Sequence, residues 1–264
     1  MGDLAGILFS SDKRKRLLLL LKSGARTWEE IKTNLEVTAS GMLPQIHILE
    51  KEGLIIRAGK NYQLSDLGML IVHYMEPLVS TVESFESNKK FWKEHNIGAI
   101  PFEMLKRFSE LKNASVIECS MEECFEPHAQ FLERIRQSAC VKGISPIVHP
   151  RYPQFFLEGA KYGKDISLIL TSSAFNKIKK EYSAYLEEGL HYENASLYVY
   201  HGDIHFAFIV TEQYFSLSLF FHNDVFDSKR DLISTDPPAL NWGNDLFSFY
   251  RNISEKITSL RANE

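Results

Sequence analysis

Cysteine is scarce: the 264 residues hold three, Cys119, Cys124 and Cys140, an odd number with no CxxC pair. That argues against a disulfide framework and gives no zinc-site spacing, so the three are read as thiols in a reducing compartment. Long apolar runs are missing too. The run Leu17 to Leu21 is five residues, against the ~20 needed to cross a bilayer. Nothing resembles a signal peptide, so a cytoplasmic location without a membrane partner is expected. The glycine signatures of nucleotide and dinucleotide sites and the serine elbow of hydrolases do not occur, which removes the usual enzyme readings. His191, His201, His205 and His222 are scattered over separate segments without i, i+4 spacing, so neither a metal site nor a cofactor is expected.

What is present starts with Thr27 to Gly68. Trp28, Ile31 and Leu35 recur at three- and four-residue spacing, which predicts a short packing helix. After the turn Val37 to Gly41 a second stripe, Leu43, Ile46 and Leu49, ends at Gly53. A proline deep in a helix removes a hydrogen bond, so this helix is started late, near Ser40, to bring Pro44 into its first turn. Leu54-Ile55-Ile56 and Tyr62-Gln63-Leu64 are strand-like and flank Arg57 to Asn61, a glycine-bearing hairpin turn with positive charge. Helix, turn, helix and basic hairpin form a winged helix-turn-helix. Ahead of it, Ser10-Ser11-Asp12 caps a helix over Lys13 to Lys22 that is half basic and half leucine.

An α-helix fits the major groove of double-stranded DNA, and a basic hairpin beside it reaches phosphates or the minor groove. Off the apolar stripe, Ser40, Gly41, Pro44, Gln45 and His47 are placed toward base edges, and Gln45 has the amide for a two-point contact with adenine. Arg57, Lys60 and Asn61 complete the expected DNA-binding set. The net charge of −4 hides an asymmetry: residues 1–66 hold 10 Lys+Arg against 8 Asp+Glu, the remainder 20 against 26. So weakly basic a domain neutralises few phosphates, and a homodimer on two half-sites is the remedy. The competing reading of a winged helix is a protein-interaction adaptor.

Past Gly68 a long helix is expected through Phe91-Trp92, kinked or interrupted at Pro77, with more apolar positions than a monomer would expose. From about Asn96 strands alternate with helices, which predicts an α/β sheet. The expected strands are Ser115 to Cys119, Val141 to Val148, Asp165 to Leu170 and Ser196 to Tyr200, then a hairpin, His205 to Val210 with Tyr214 to Phe221. Helices are expected over Glu126 to Ser138, Pro153 to Tyr162 and Ser173 to Glu187, and an amphipathic one from Trp242 through Ile257. The fold class is thus α+β: a winged helix-turn-helix domain over 1–68, a joining and dimerising helix over 69–95, and an α/β sensor domain over 96–264. His149, Arg151, Tyr152 and Tyr162, among Phe155 and Phe156, suggest an aromatic pocket with one cation for an anionic effector of unknown identity.

The winged segment GMLPQIHILEKEGLI, the long helix, the segment IGAIPFEMLKRFSELKNASVIEC and the α/β remainder resemble the archaeal winged-helix, ArsR-like regulators with a methanogenesis-regulator type middle domain. That resemblance implies a transcription regulator, not an enzyme, whose C-terminal part senses a signal. A looser likeness is chemically pointed. His205, Ala207 and Glu212 stand where the HxKxxxxD motif of phospholipase D-like phosphodiesterases has histidine, lysine and aspartate. The likeness implies a degenerate fold of that type, since alanine cannot supply the cation that phosphoryl transfer requires; His205 is kept as a ligand candidate.

Overall fold

The structure, a computed structural model, describes residues 4–119 and 129–260. It divides into two compact units, 1–80 and 81–264. In the first, the order is α1 (Leu4–Phe9), α2 (Asp12–Leu21), β1 (Arg26–Thr27), α3 (Trp28–Leu35), α4 (Ala39–Lys51), β2 (Ile55–Ala58), β3 (Asn61–Leu64) and α5 (Asp66–Ser87). The strands form a small antiparallel sheet, β1-β3-β2. Local chemistry sets the ends. Ser11 caps α2 by accepting from the Arg14 N–H, and Thr27 with Glu30 forms a reciprocal capping box on α3. Leu17, Leu18 and Leu21 of α2 meet Ile31 and Leu35 of α3, Met42, Ile46 and Leu49 of α4, and Val72, Met75 and Val79 of α5 in one core.

Two expectations for this unit are corrected. Helix α4 begins at Ala39, one residue earlier than the sequence predicts, and Pro44 lies inside it rather than in its first turn. The buried stripe is Met42, Ile46 and Leu49, while Leu43 is 44% exposed. One residue on a helix is about 100° of rotation, which is what separates Met42 from Leu43, while Ile46 and Leu49 are common to both stripes. Helix α5 runs through Pro77 and ends at Ser87, after which α6 (Lys89–Glu94) begins.

The second unit continues with α7 (Phe102–Leu105), β4 (Ser115–Glu118), α8 (Ala129–Gln137), β5 (Cys140–Ser145), α9 (Tyr152–Lys161), β6 (Asp165–Thr171), α10 (Ser172–Glu181) and α11 (Ser183–Gly189). It ends with β7 (Ala195–Tyr200), β8 (Phe206–Thr211), β9 (Phe215–Leu219), β10 (Arg230–Ser234), α12 (Pro237–Arg251) and β11 (Glu255–Ile257). Among the described residues, eight strands make one mixed sheet, ordered β11-β7-β6-β5-β8-β9-β10-β4. Strands β5, β6 and β7 are parallel to one another; β8, β9, β10 and β4 form an antiparallel run.

Side chains alternate across a sheet, and here the two faces differ sharply in bulk. One carries Phe206, Phe208, Val210, Phe215, Leu217, Leu219 and Leu232, packed on Trp242, Leu246, Phe247 and Tyr250 of α12. The opposite face is covered over β5, β6 and β7 by α8 to α11. On the central strands of that face stand Gly143, Ser145, Ala207, Ser216 and Ser218.

Several boundaries differ from the sequence reading. The helix expected over 173–187 is two, α10 and α11, broken at Tyr182 (φ −136°). The amphipathic closing helix stops at Arg251, because Glu255–Ile257 pairs with the edge of β7 instead; Ile253 is exposed. Strand β10 has no counterpart among the expected elements. Residues 126–128 of the helix expected from Glu126, and Cys124, lie outside the described residues; Cys119 and Cys140 form no disulfide.

Gly68 marks the tightest junction in the first unit. A Cβ there would sit 1.9 Å from the Leu54 carbonyl oxygen, which also accepts the Ser65 N–H at 3.0 Å. Gly68→Ala is therefore expected to destabilise the unit by about 1–3 kcal/mol through forced backbone displacement. Urea unfolding checks this; a gain in stability, as for a helical Gly→Ala change without a clash, would refute the close approach.

Candidate nucleic-acid interface and effector cavity

On α4 the solvent face carries Ser40, Leu43, Pro44, His47 and Lys51. These lie at helical spacing, so they form one continuous strip. Gly41 and Gln45 are half-buried beside it. Gln45 is not free to read a base edge unaided: its Oε1 accepts from an Arg14 guanidinium nitrogen at 2.7 Å. Arg14 also donates to the Ile7 carbonyl (2.6 Å) and Ser10 Oγ (2.9 Å), tying α1, α2 and α4 together. Its neighbours are engaged as well. Lys15 pairs with Asp12 at 3.0 Å, Arg16 donates to the Leu35 carbonyl at 3.2 Å, and Lys13 reaches the Gly41 carbonyl at 3.4 Å. The basic tetrad of α2 thus does much of its work inside the domain.

The wing is shorter than the sequence suggests. Arg57 and Asn61 belong to β2 and β3, Ala58 pairs with Asn61, and Gly59 and Lys60 alone remain in the turn. Gly59 has φ +64°, the positive value that the first central position of a type II′ hairpin needs. Arg57 lies 5.6 Å from the Tyr62 ring centroid and its Nε donates to the Gly59 carbonyl at 3.3 Å. Both wing cations are exposed.

In the second unit the small side chains on the helix-covered face leave a cavity of about 310 Å³, within the usual size of a small-molecule site. Its apolar walls include Val148, Phe156, Leu168, Ile178, Leu186 and Leu190; Ser145, His149, Tyr152, Ser218, Asp227 and Asp231 supply polar groups. Of the residues nominated for a ligand, His149 and Tyr152 meet here, with ring centroids 5.2 Å apart. Arg151 is exposed and outside the lining, and Tyr162, 86% exposed, borders a separate cavity of about 260 Å³. His205 lies elsewhere, with Nδ1 3.1 Å from Asp224 Oδ1. The expected pocket with a cation is thereby corrected: the charged side chains lining this cavity are Asp227 and Asp231. Burial, aided by the Asp231 charge, pushes the Tyr152 phenol well above its ordinary range and Tyr214 up to about 12.

Ala207, in the lysine position of the phosphodiesterase motif, also lines this cavity, and Glu212 accepts the Ala139 and Cys140 N–H groups at 2.7 and 3.3 Å. Those are structural duties. An ion cluster at the cavity's edge is absent from the sequence reading altogether. His95, fully buried, faces the Phe91 carbonyl through Nδ1 (2.6 Å) and Asp227 Oδ2 through Nε2 (3.1 Å), and stacks on Phe221. Arg230 bridges Asp227 (2.8 Å) and Glu94 (2.6 Å). Burial alone would raise the Asp227 carboxyl. Hydrogen bonds from His95, the Lys229 N–H and Arg230 outweigh it and hold Asp227 at about 2.

Comparison with known proteins bears on both units. Residues 4–83 match the family model described as Methanogenesis regulatory protein FilR1, N-terminal domain. Residues 124–253 match that protein's middle domain. The chain is 26% identical over 255 residues to the Methanogenesis regulatory protein FilR1 of Methanothrix harundinacea (strain 6Ac), which covers 95% of this chain and 57% of that protein. It thus spans little more than half the length of that relative. Among solved structures it is similar to TrmBL2, an archaeal chromatin protein with a novel mode of DNA binding (13% identity, 94% and 95% of the two chains, TM-score 0.43). It is also similar to NucT from Helicobacter pylori (12% identity, 55% and 99%, TM-score 0.44). No helix among the described residues is long and apolar enough to cross a membrane.

A carboxyl held low in the folded state stabilises it above the unfolded pKa, near 3.9, and that contribution disappears as pH falls toward 2. The second unit should therefore lose on the order of 2 kcal/mol between about pH 4 and pH 2 through Asp227, at ~1.4 kcal/mol for each tenfold difference in proton affinity between the folded and unfolded chain. Acid titration of the full chain followed by tryptophan fluorescence reads this, with Asp227→Asn expected to be less stable at neutral pH and flatter in acid; an unaltered acid limb would refute it.

Proposed function

Belonging to the FilR1 methanogenesis regulatory family through its N-terminal and middle domains, this chain is, we propose, a DNA-binding transcription regulator that acts as a homodimer and whose C-terminal unit senses a small effector. One observation carries the DNA reading. The exposed strip Ser40, Leu43, Pro44, His47 and Lys51 lies on the second helix of a helix-turn-helix followed by a two-residue wing bearing Arg57 and Lys60. The strip enters the major groove and the wing meets the backbone. Leu43, exposed where a core residue is expected from the sequence, suits apolar contact with a thymine methyl group. Gln45 reads an adenine only by giving up or sharing its bond to Arg14.

The homodimer is supported by α5. Leu67, Leu70, Tyr74 and Leu78 recur along it at intervals of three and four residues and are 46%, 56%, 71% and 53% exposed. Such a stripe on one helix is the pattern of an interface between helices. The sensor role is supported by the cavity of the second unit. A ligand that prefers one arrangement of the dimer changes DNA affinity by no more than its own differential binding. A regulator needs no catalytic group, and Ala207 supplies no cation where the phosphodiesterase motif requires one.

Titration of the full chain on its own promoter fragment at several salt concentrations tests the central claim. Arg57→Ala with Lys60→Ala is expected to weaken binding to all sequences alike and to shallow the log–log salt slope by roughly 2, since each phosphate left without its cation subtracts about 0.9. An unchanged slope would remove the wing from the interface. Tyr74→Glu with Leu78→Glu is expected to give monomers in sedimentation velocity and to cost most of the promoter affinity; a dimer that survives both charges would place dimerisation on another surface.

A further inference from the structure

We infer that the cavity of the second unit takes one unbranched aliphatic chain, laid across the strands with its apolar end between β6, β7 and the helices α10 and α11. The inference rests on the sensor reading above and names the class of its effector.

Shape comes first. The lining draws on six adjacent strands, from Leu197 of β7 through Leu168 of β6, Gly143 of β5, Ala207 of β8 and Ser218 of β9 to Asp231 of β10. At ~4.8 Å between neighbouring strands, that row measures roughly 24 Å. A space of about 310 Å³ gathered into a ball would be about 10 Å across, the width of two or three strands. Spread over six, it is long and narrow. Gly143 and Ala207 keep its middle open, because they stand on the helix-covered face of β5 and β8, whose other face carries Ile144, Phe206 and Phe208.

The walls then fix the chemistry of one end. Over β6 and β7 they are Leu168, Leu170, Leu197, Ile178, Leu186 and Leu190, supplied by the two strands, by α10 and α11 and by the residue that follows α11. Polar side chains such as Ser216, Ser218 and Asp227 stand at the other end, on β9 and just before β10. Each CH₂ group removed from water against aliphatic walls tightens binding about fourfold, whatever group the chain carries at its far end. An apolar cavity of about 150 Å³ holds a six-carbon ring, so roughly twice that volume admits about a dozen carbons. A block of fused rings of that size does not reach across six strands; a single-file chain does.

Equilibrium dialysis of radiolabelled straight-chain primary alcohols, from hexanol to hexadecanol, against the full chain tests this with probes that are neutral throughout. Affinity should rise about fourfold per added carbon, stop rising at roughly a dozen carbons, and be at least tenfold weaker for the branched isomer 2-butyloctanol than for dodecanol. Ala195→Leu, in the lining at the β7 end, should bring the stop about three carbons earlier, the number that leucine adds to alanine, while circular dichroism and promoter binding stay as in the parent. If Ala195→Leu fails to fold, the branched and straight isomers in the parent still decide. No binding by any alcohol, increments that continue through hexadecanol, equal binding of the two isomers, or an unmoved stop in folded Ala195→Leu would overturn the inference. A chain that binds its promoter but no alcohol sinks this inference and leaves the regulator reading standing. One that binds the alcohols with these increments but no DNA supports it and sinks that reading.

Discussion

The second unit depends on an imbalance between the two faces of its sheet. A strand such as Phe215-Ser216-Leu217-Ser218-Leu219 sends large apolar groups one way and serines the other. The bulky side buries itself under α12, where Trp242 meets Phe215 edge-on and ties its indole N–H to the Met104 carbonyl at 2.9 Å. That face supplies the packing that holds the strands in place. The other face is thereby released from filling its own interior and can shape a cavity without dissolving the sheet. Packing and cavity are separated by the two-residue period of the strand, not by separate segments of chain.

The first unit solves a different problem, the presentation of a helix with little charge to spare. Arg14 fastens the ends of α1 and α2 to Gln45, and the neighbouring cations of α2 are turned onto carbonyls and Asp12. The domain keeps its reading helix in a defined orientation by using cations that would otherwise face phosphate. What remains outward is a small positive charge, and under the proposed DNA-binding role that favours two copies over one.

Much of this is legible in the residues. Thr27 with Glu30, and Ser11 before Asp12, are capping signals that act within a few residues, and the elements they start have boundaries close to those the sequence predicts. The second strand of the β8–β9 hairpin is visible in the alternation Phe215-Ser216-Leu217-Ser218-Leu219. What is not legible depends on distance. Met42 and Leu43 are both apolar, and choosing between them requires the phase of α4, set at Ala39 by packing. The segment Arg230–Ser234 hides a strand because its first two residues are charged, one serving the ion cluster, the other the cavity wall. Glu255–Ile257 is a strand only because β7 offers an edge, and no local periodicity announces that. Of the cavity residues, His149 and Tyr152 are within reach because they are close in sequence. His95 and Asp227 come together across more than a hundred residues, and a single chain carries no local signal for that.

The two-residue wing makes its cations unequal. Arg57 is already held over Tyr62 and against the Gly59 carbonyl, so its guanidinium has few rotamers left to lose on docking. Among the described residues no such restraint orders Lys60 at the tip, where immobilising a long side chain costs about 1–2 kcal/mol of conformational entropy. In the proposed DNA contact the arginine would therefore be the pre-ordered cation, and the lysine the one whose net contribution diminishes on warming, because its entropic cost scales with temperature. Within four residues of chain the wing thus carries one restrained cation and one looser one.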